Sequence, residues 1–409
     1  MKKILLQINS VINSGSTGRI AEEIGNIAMD NNWESYIAYG RNERESESIR
    51  IKIGSKFDIL YHVLITRIFD RHGLASKRAT RKLLKEIGDI KPDIIHLHNI
   101  HGYYLNYKLL FEYLARKNIP TIWTLHDCWS FTGHCAYFDY VKCKKWETVC
   151  SRCPQKKSYP KNILFTRSKK NFYDKKDAFN HIDNLTIVPV SSWLENLSKR
   201  SFLRKYPILK IHNGINTDTF KYDCKSNAFV EKYNLIRFKK IVLGVASIWD
   251  QRKGFQDFIQ LRNFLSDEYG IILVGLTDKQ IKEIPDRFVG IARTESVDEL
   301  AQLYSLADVF VNPTWEDNFP TTNLEAMACG TPVVTYRTGG SIEAISEATG
   351  LIVEQGDHRG LANAVETICN KGRDYYSDNC RQRVLDKFKK EDRYQDYINL
   401  YENILKSKD

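Results

Sequence analysis

The chain has 409 residues, enough for two domains of ordinary size, and its 42% hydrophobic and 27% charged residues are typical of a globular protein with a sizeable core. Its formal net charge of +11 predicts anionic partners such as nucleotide diphosphates, an anionic membrane surface or nucleic acid. No apolar run approaches the ~18–20 residues of a membrane span, and the N-terminal run is too short for a signal peptide, so we predict a cytoplasmic protein.

The first predicted strand, Lys3 to Asn9, is followed by a loop that contains glycine. Gly15, Ser16 and Gly18 lie in this loop, and a helix is predicted from Arg19 onward. The loop between the first strand and the first helix is where a doubly wound sheet meets its ligand. Because the loop lacks the G-x-G-x-x-G pattern, it gives little support for a dinucleotide cofactor.

An amphipathic helix is predicted next. Its apolar residues recur with helical spacing at Phe57, Leu60, Tyr61, Leu64, Ile65, Ile68 and Phe69. This pattern is typical both of a helix that packs on a core and of one that lies on a membrane surface. We favour the helix that faces the core.

Polar residues end two predicted buried strands. His98 and Asn99 end the strand that begins at Asp93, and His126 and Asp127 end the strand that begins at Ile122. Because the carboxyl ends of parallel strands meet at one edge of a sheet, these four side chains predict a site at that edge.

Four of the nine cysteines lie close together in the sequence, at Cys135, Cys143, Cys150 and Cys153. The last two have the two-residue spacing of a metal knuckle, and four thiolates would bind one structural Zn²⁺ tetrahedrally. Four unligated thiols are the alternative. The other five cysteines are scattered and are predicted to be core residues or inert thiols: Cys128, Cys224, Cys329, Cys369 and Cys380.

A basic segment runs from Lys156 to Lys176 and contains Tyr159, Phe165, Phe172 and Tyr173. Clustered cations and amphipathic rings fit an anionic headgroup surface or a lipid-diphosphate acceptor, which predicts peripheral contact with the inner face of the plasma membrane. A solvated helical face is the alternative.

The second half contains further predicted strands and a stretch, Asn312 to Gly340, that reads NPTWEDNFPTTNLEAMACGTPVVTYRTGG. Thr321 and Thr322 are predicted to cap a helix at whose start free backbone N–H groups would suit a phosphate. Two carboxylates, Asp317 before the helix and Glu325 on it, are placed to accept hydrogen bonds from a sugar and a ribose.

This stretch resembles the donor-binding signature of the retaining family 4 glycosyltransferases, which have the GT-B fold. Residues 325–328 (EAMA), 330–334 (GTPVV) and 339–340 (GG) match the family's motifs as they stand. The family has a glutamate where this chain has Asp317, so the carboxylate is one methylene shorter here.

The resemblance implies roles for residues along the chain. Arg252 and Lys253 would hold the donor diphosphate, although the family's usual arginine position falls at Ile248. Backbone near Gly290 would accept the nucleobase, and Gly15, Ser16 and Gly18 would approach the donor. His126 would lie near the donor sugar, and Asp127 would orient the His126 imidazole. His98 and Asn99 would lie on the acceptor side.

The sequence therefore predicts an α/β protein of the GT-B fold, with two Rossmann-like parallel-sheet domains facing a cleft. The predicted parts are an acceptor-side domain (residues 1–214), a nucleotide-sugar domain (215–390) and a helix (391–409) that returns to the first domain. We predict a hexosyltransferase that transfers a sugar from a UDP- or GDP-sugar to a glycan or lipid-linked glycan, with retention of anomeric configuration. We expect no catalytic metal and no nucleic-acid partner. The alternatives are a GT-B sugar-nucleotide epimerase and a zinc-containing nucleic-acid-binding protein.

Overall fold

A computed structural model describes residues 2–222 and 227–407, and within them twelve strands form two six-stranded sheets whose paired strands are all parallel. The strands are β1 (Lys3–Val11), β2 (Trp33–Arg41), β3 (Ile49–Lys52), β4 (Ile94–Leu97), β5 (Thr121–Leu125), β6 (Leu185–Pro189), β7 (Lys240–Val245), β8 (Tyr269–Val274), β9 (Phe288–Ile291), β10 (Val309–Asn312), β11 (Val333–Tyr336) and β12 (Gly350–Val353). The helices are α1 (Gly15–Asp30), α2 (Lys56–Phe69), α3 (Lys77–Ile90), α4 (Tyr107–Lys117), α5 (Ser168–Phe179), α6 (Ser192–Arg200), α7 (Asn227–Lys232), α8 (Phe255–Arg262), α9 (Asp278–Glu283), α10 (Val297–Leu306), α11 (Thr321–Ala328), α12 (His358–Lys371), α13 (Asp374–Lys387) and α14 (Lys390–Lys406). The predicted α/β class with two Rossmann-like sheets is confirmed.

The chain divides into two compact units, Met1–Asn213 with Glu391–Asp409, and Gly214–Lys390. The strand order is β3-β2-β1-β4-β5-β6 in the first unit and β12-β11-β10-β7-β8-β9 in the second. The order changes direction between β1 and β4, and between β10 and β7. At such a point the loops after the two neighbouring strands diverge, which leaves a crevice for a ligand at the carboxyl edge of the sheet.

The central strands are apolar almost throughout because both faces of each sheet are covered. Every residue of β5, β6 and β8 is buried. Parallel sheets with helices on both faces require such continuous runs, in contrast to the alternation of a half-exposed strand. The sheets therefore form rigid platforms whose strand ends position the candidate site.

The C-terminal helix α14 packs on the first unit, as predicted. Its buried residues Tyr394, Tyr397, Ile398 and Tyr401 join a cluster with residues from β1, β4, β5 and β6. The Tyr401 hydroxyl lies 2.6 Å from His96 Nδ1, and His96 Nε2 lies 2.7 Å from Thr124 Oγ1. The helix thus both closes the apolar core and satisfies a buried imidazole.

Two sequence-based expectations about helices are wrong. Helix α1 begins at Gly15, four residues before the predicted start at Arg19. The apolar stripe of α2 faces solvent instead of the core: Phe57 is 84% exposed. Helix α2 contacts its unit through His62 and Thr66, its buried residues, and His62 Nδ1 lies 2.8 Å from Ser76 Oγ. Helical spacing of apolar residues does not reveal which face of the helix meets the core.

The basic segment is also less exposed than predicted. Phe172 and Lys175 are buried on the inner face of α5, and the Lys175 ammonium donates to the carbonyl of Thr132 at 3.0 Å. Phe165 and Tyr173 are exposed. Among the residues that the structure describes, no helix is both long enough and apolar enough to cross a membrane.

Replacing Tyr401 with phenylalanine tests the contact of α14 with His96. The variant keeps the ring but leaves a buried imidazole nitrogen without its hydroxyl partner, so the free energy of unfolding should fall by about 1–3 kcal/mol. Urea unfolding followed by circular dichroism measures the loss. Tyr375→Phe is the matched control, because Tyr375 is 60% exposed. Equal stabilities for the two variants would contradict a structural role for the Tyr401 hydroxyl.

Candidate active site

In the second unit, the predicted donor residues gather where the strand order changes direction. Arg252 and Lys253 follow β7, and Asp317 follows the neighbouring strand β10. The Lys253 ammonium forms an ion pair with the Asp317 carboxylate, and both side chains remain partly exposed. A cation and a carboxylate are thus held together at the position where open parallel sheets bind ligands.

Asp317 is ionised under ordinary conditions. Burial alone would raise the pKa of Asp317, but the charges of Lys253 and Arg252 and the hydrogen bond from Lys253 outweigh it, and the pKa lies below its usual value. Arg252 Nη1 also donates to the Glu316 carbonyl at 2.8 Å. The Glu316 side chain is fully buried. Of the two neighbouring acidic residues, Glu316 and Asp317, only Asp317 is therefore accessible enough to accept hydrogen bonds from a ligand.

Two glycines keep the loops at this site close together. Gly254 has φ of +80°, and a Cβ there would lie 2.2 Å from the Pro313 carbonyl oxygen. Gly339 has φ of +49°, and a Cβ there would lie 2.0 Å from the Asp317 carbonyl oxygen. The Gly340 N–H donates to that same oxygen at 3.0 Å. The Gly-Gly pair of the motif therefore fixes the backbone of Asp317.

Helix α11 begins beside this loop. Its N-cap residue is Pro320 and no side chain caps it, so the prediction that Thr321 and Thr322 cap the helix is wrong. Thr321 is instead the first helical residue, and both threonines are partly exposed in the first turn. Their hydroxyls and the unpaired backbone N–H groups of a first turn still suit an anion.

Glu325 lies on the inner side of α11 and is only 4% exposed. Its Oε2 accepts a hydrogen bond from the Tyr304 hydroxyl at 2.9 Å. Sequence reasoning missed Tyr304, since nothing in helix α10 indicates that it orients this carboxylate. Gly290 lies apart from this group, on the edge strand β9, and a Cβ there would lie 2.9 Å from the Ile284 side chain.

In the first unit, the corresponding change of direction lies between β1 and β4. Gly15 and Ser16 are exposed at the start of α1, which follows β1. Gly18 is buried, and a Cβ there would lie 3.2 Å from the Asn13 backbone nitrogen. Gly18 therefore allows α1 to pack closely on the loop that follows β1, while Gly15 and Ser16 remain accessible. Asn99, after β4, is partly exposed.

His98 and His126 form a pair at the ends of β4 and β5. His98 Nδ1 lies 3.1 Å from His126 Nε2, and His98 Nε2 lies 3.0 Å from Gln7 Oε1. Burial lowers the pKa of His126 to about 4, despite the opposing effect of Asp127. His126 is therefore neutral near pH 7 and partly exposed, whereas His98 is buried and supports it.

Asp127 has an imidazole partner that the sequence analysis missed. Its Oδ2 lies 2.9 Å from His101 Nε2, and its Oδ1 accepts a hydrogen bond from the Trp129 N–H at 2.8 Å. His101 Nδ1 lies 2.8 Å from the Tyr159 hydroxyl. The predicted role of Asp127 in orienting His126 stays a prediction. The one signal for His101 was its place three residues after His98, on the loop that leaves β4.

The four clustered cysteines line one small cavity of about 10 Å³. Over residues 2–222 and 227–407, however, no group of three or more His, Cys, Asp or Glu side chains is arranged so that it could hold a metal ion. The structure therefore gives no support for the zinc site, which stays a prediction. Of the scattered cysteines, Cys128, Cys329, Cys369 and Cys380 are buried, and Cys224 lies outside the described residues.

Elemental analysis of protein purified without added metal tests the zinc interpretation. If Cys135, Cys143, Cys150 and Cys153 hold zinc, the protein should contain about one ion per chain, because four thiolates complete its tetrahedral shell. Cys150→Ser with Cys153→Ser should lose the ion. Cys369→Ser, which removes a buried thiol elsewhere, should keep it. A metal-free protein with four titratable thiols in the cluster would contradict the interpretation.

Comparisons with known proteins match both halves of the chain. The family model described as Glycosyltransferase Family 4 matches residues 29–219, and the one described as Glycosyl transferases group 1 matches residues 239–371. The chain is 28% identical over 206 residues to the capsular polysaccharide biosynthesis glycosyltransferase CapM of Staphylococcus aureus, covering 47% of this chain and 54% of CapM.

A second relative and a solved structure point the same way. The chain is 27% identical over 190 residues to the N,N'-diacetylbacillosaminyl-diphospho-undecaprenol alpha-1,3-N-acetylgalactosaminyltransferase of Campylobacter jejuni, covering 45% of this chain and 50% of the relative. The chain thus spans about half the length of these curated relatives. Anabaena Alr3699/HepE in complex with UDP has a similar fold, with a TM-score of 0.67 and 15% identity over 98% of this chain and 100% of that one. Together with the two six-stranded parallel sheets, the family matches show that this chain belongs to the family 4 glycosyltransferases of the GT-B fold.

Proposed function

We propose that the protein transfers a sugar from a nucleotide-sugar donor to a glycan or lipid-linked glycan acceptor, with retention of anomeric configuration and without a catalytic metal. The observation that carries the proposal is the Lys253–Asp317 ion pair, which lies with Arg252 where the second sheet changes direction. Such a site offers cations to a diphosphate and a carboxylate to a sugar hydroxyl.

The relatives support the choice of donor and acceptor. The name of the Campylobacter jejuni relative specifies a sugar linked through a diphosphate to undecaprenol, and CapM is named for capsular polysaccharide biosynthesis. The solved structure of HepE contains UDP. By analogy, we propose a UDP- or GDP-sugar as donor and a growing surface glycan on a lipid carrier as acceptor.

Donor binding exchanges the partner of Lys253. In the structure the ammonium pairs with Asp317, and in the complex it would pair with the donor diphosphate, together with Arg252. Two cations stabilise the negative charge that builds up on the leaving diphosphate, as a divalent metal does in other transferases. The first turn of α11, with the hydroxyls of Thr321 and Thr322, would bind the same anion.

The freed carboxylate of Asp317 would then accept a hydrogen bond from a donor-sugar hydroxyl. Glu325, held by Tyr304, would accept one from the ribose, and backbone near Gly290 would bind the nucleobase. In the first unit, the neutral ring of His126 would bind a sugar hydroxyl, and Asn99 an acceptor hydroxyl. Tyr304 acts as a positioning residue for Glu325.

The reaction follows from these contacts. The bond between the anomeric carbon and the diphosphate oxygen breaks, and an acceptor oxygen forms a new bond to the same face of that carbon. The acceptor proton passes to the departing diphosphate oxygen. We assign no side chain as a covalent nucleophile.

A panel of UDP-, GDP- and dTDP-sugars tests the proposal. One donor should raise the melting temperature, because ligand binding to the folded state stabilises it, and should release free nucleotide slowly by hydrolysis. Product analysis should show sugar with unchanged anomeric configuration. A product that is an epimerised sugar nucleotide, without transfer or hydrolysis, would favour an epimerase instead.

Glu325→Gln tests the ribose contact. The amide keeps the volume and loses the charge, so donor binding should weaken about ten- to hundredfold, since a hydrogen bond to a charged group contributes about 1.5–3 kcal/mol. Isothermal titration calorimetry measures the affinity. Glu283→Gln on the exposed helix α9 is the control and should bind donor normally. Unchanged affinity in a folded Glu325→Gln variant would remove Glu325 from the site.

Asp317→Asn separates binding of the sugar from binding of the diphosphate. Turnover should fall about tenfold or more, because the sugar hydroxyl loses a charged acceptor. Bare nucleoside diphosphate should bind at least as well as to the wild type, since Lys253 no longer has a competing carboxylate. Asp317→Glu, which introduces the family's residue, should restore turnover. Equal losses for donor and bare diphosphate would show that Asp317 acts on the loop and not on the sugar.

A further inference from the structure

Helix α2 presents an apolar stripe to solvent. Phe57, Leu60, Tyr61 and Leu64 recur with spacings of three and four residues, which places them on one face, and each is more than half exposed. Single exposed apolar residues are ordinary on protein surfaces, but a contiguous group of large ones marks an interaction site.

A second segment extends this stripe. Residues 163–165 run beside the C-terminal end of α2, where the Ile163 N–H donates to the Arg67 carbonyl at 2.8 Å and the Phe165 N–H donates to the Ile68 carbonyl at 3.1 Å. The Phe165 ring stacks on that of Phe69, with centroids 6.1 Å apart. Ile163, Leu164 and Phe165 are each more than half exposed. Two separate parts of the sequence therefore build one apolar surface.

Cations border this surface. Exposed basic residues on the same elements or within a few residues of them are Lys56, Arg67, Arg71, Lys161, Lys169 and Lys170. A cavity of about 650 Å³ begins at Thr166, next to Phe165, and Arg152, Arg167, Lys169 and Lys170 contribute to its lining. It is roomy enough for a phosphate-bearing headgroup.

The neighbouring acidic residues are already engaged. Asp58 completes the capping box of α2 by accepting from the Ser55 N–H at 2.8 Å, and its single negative charge is outnumbered by the surrounding cations. Asp70 is buried against His134, with 2.6 Å between Oδ1 and Nδ1. Asp174, which also lines the cavity, pairs with Lys108 and Arg167. The border of the apolar surface is therefore positively charged overall.

We propose that this docking surface, formed by the exposed stripe of α2 with residues 163–165 and its basic border, binds an anionic phospholipid bilayer. The apolar side chains would enter the boundary between headgroups and acyl chains, about 5–10 Å deep, while the cations bind lipid phosphates. A second copy of this chain fits poorly, because two basic borders would face each other across the contact. The biological reason for membrane binding rests on the lipid-linked acceptor of the proposed function. Bilayer binding by the surface itself does not depend on that acceptor.

Vesicle sedimentation with the full chain tests the proposal. The wild type should sediment with vesicles that contain phosphatidylglycerol, should ignore vesicles of phosphatidylcholine alone, and should be released by added salt. Phe57→Ser with Leu64→Ser should weaken binding about tenfold or more, since both apolar contacts are lost. Ile236→Ser with Tyr375→Ser is the matched control, because it removes two exposed apolar residues of the second unit.

Further variants separate insertion from charge attraction. Lys169→Gln with Lys170→Gln should weaken binding and reduce its dependence on salt, because fewer lipid phosphates are neutralised. The emission of Leu60→Trp should shift to the blue on anionic vesicles, which reports entry of the ring into an apolar layer. The circular dichroism spectrum and the midpoint of urea unfolding should be unchanged in every variant.

Three results would overturn the docking surface. The wild type could ignore anionic vesicles at low salt, as it would if the surface bound a protein partner. The Phe57→Ser, Leu64→Ser variant could bind vesicles as tightly as the wild type. Analytical ultracentrifugation could show a dimer that this variant dissociates. Hydrolysis of a sugar nucleotide without vesicles tests the proposed function separately, so an active enzyme that ignores vesicles would overturn the docking surface alone.

Discussion

The reversal of strand order within each parallel sheet is the constraint on which the candidate site depends. Because β7 and β10 are neighbouring parallel strands, the loops that follow them leave the same edge of the sheet, and Lys253 and Asp317 meet although they are far apart in the chain. The close approaches at Gly254 and Gly339 leave no room for a side chain there. Strand order brings the two loops to one edge, and the glycines set the distance between them. A larger residue at either position would displace the ion pair without touching a ligand.

In the first unit, a row of contacting histidine rings connects the buried core to the edge of the sheet. His96 connects α14 to β5 through Tyr401 and Thr124, and its ring lies 4.1 Å from that of His98. His98 in turn contacts His126. Burial lowers the pKa of His96 and His98 well below the usual value. These rings are therefore neutral polar packing units, and they connect the core beneath the sheet to the polar residues at its edge.

The fold and half of the site could be predicted from the sequence because their signals are local. The EAMA helix, the Gly-Gly turn and the polar strand ends at His98 and His126 each lie within a few residues. The partners Tyr304 and His101 come from other elements, and only the tertiary structure shows that they contact Glu325 and Asp127. The stripe of α2 shows a different limit, since its periodicity is the same whether the stripe is buried or exposed.

The return of α14 to the first unit has a consequence for how the protein is made. Tyr394, Tyr397, Ile398 and Tyr401 fill the core built by β1, β4, β5 and β6, yet the whole second unit is synthesised before them. The second unit, Gly214–Lys390, is continuous and has all its strands before α14 emerges. During translation the N-terminal unit therefore waits with an open apolar groove while the later unit can finish folding. A ribosome that stalls within the second unit should therefore hold the first unit with exposed apolar side chains, as a substrate for chaperones.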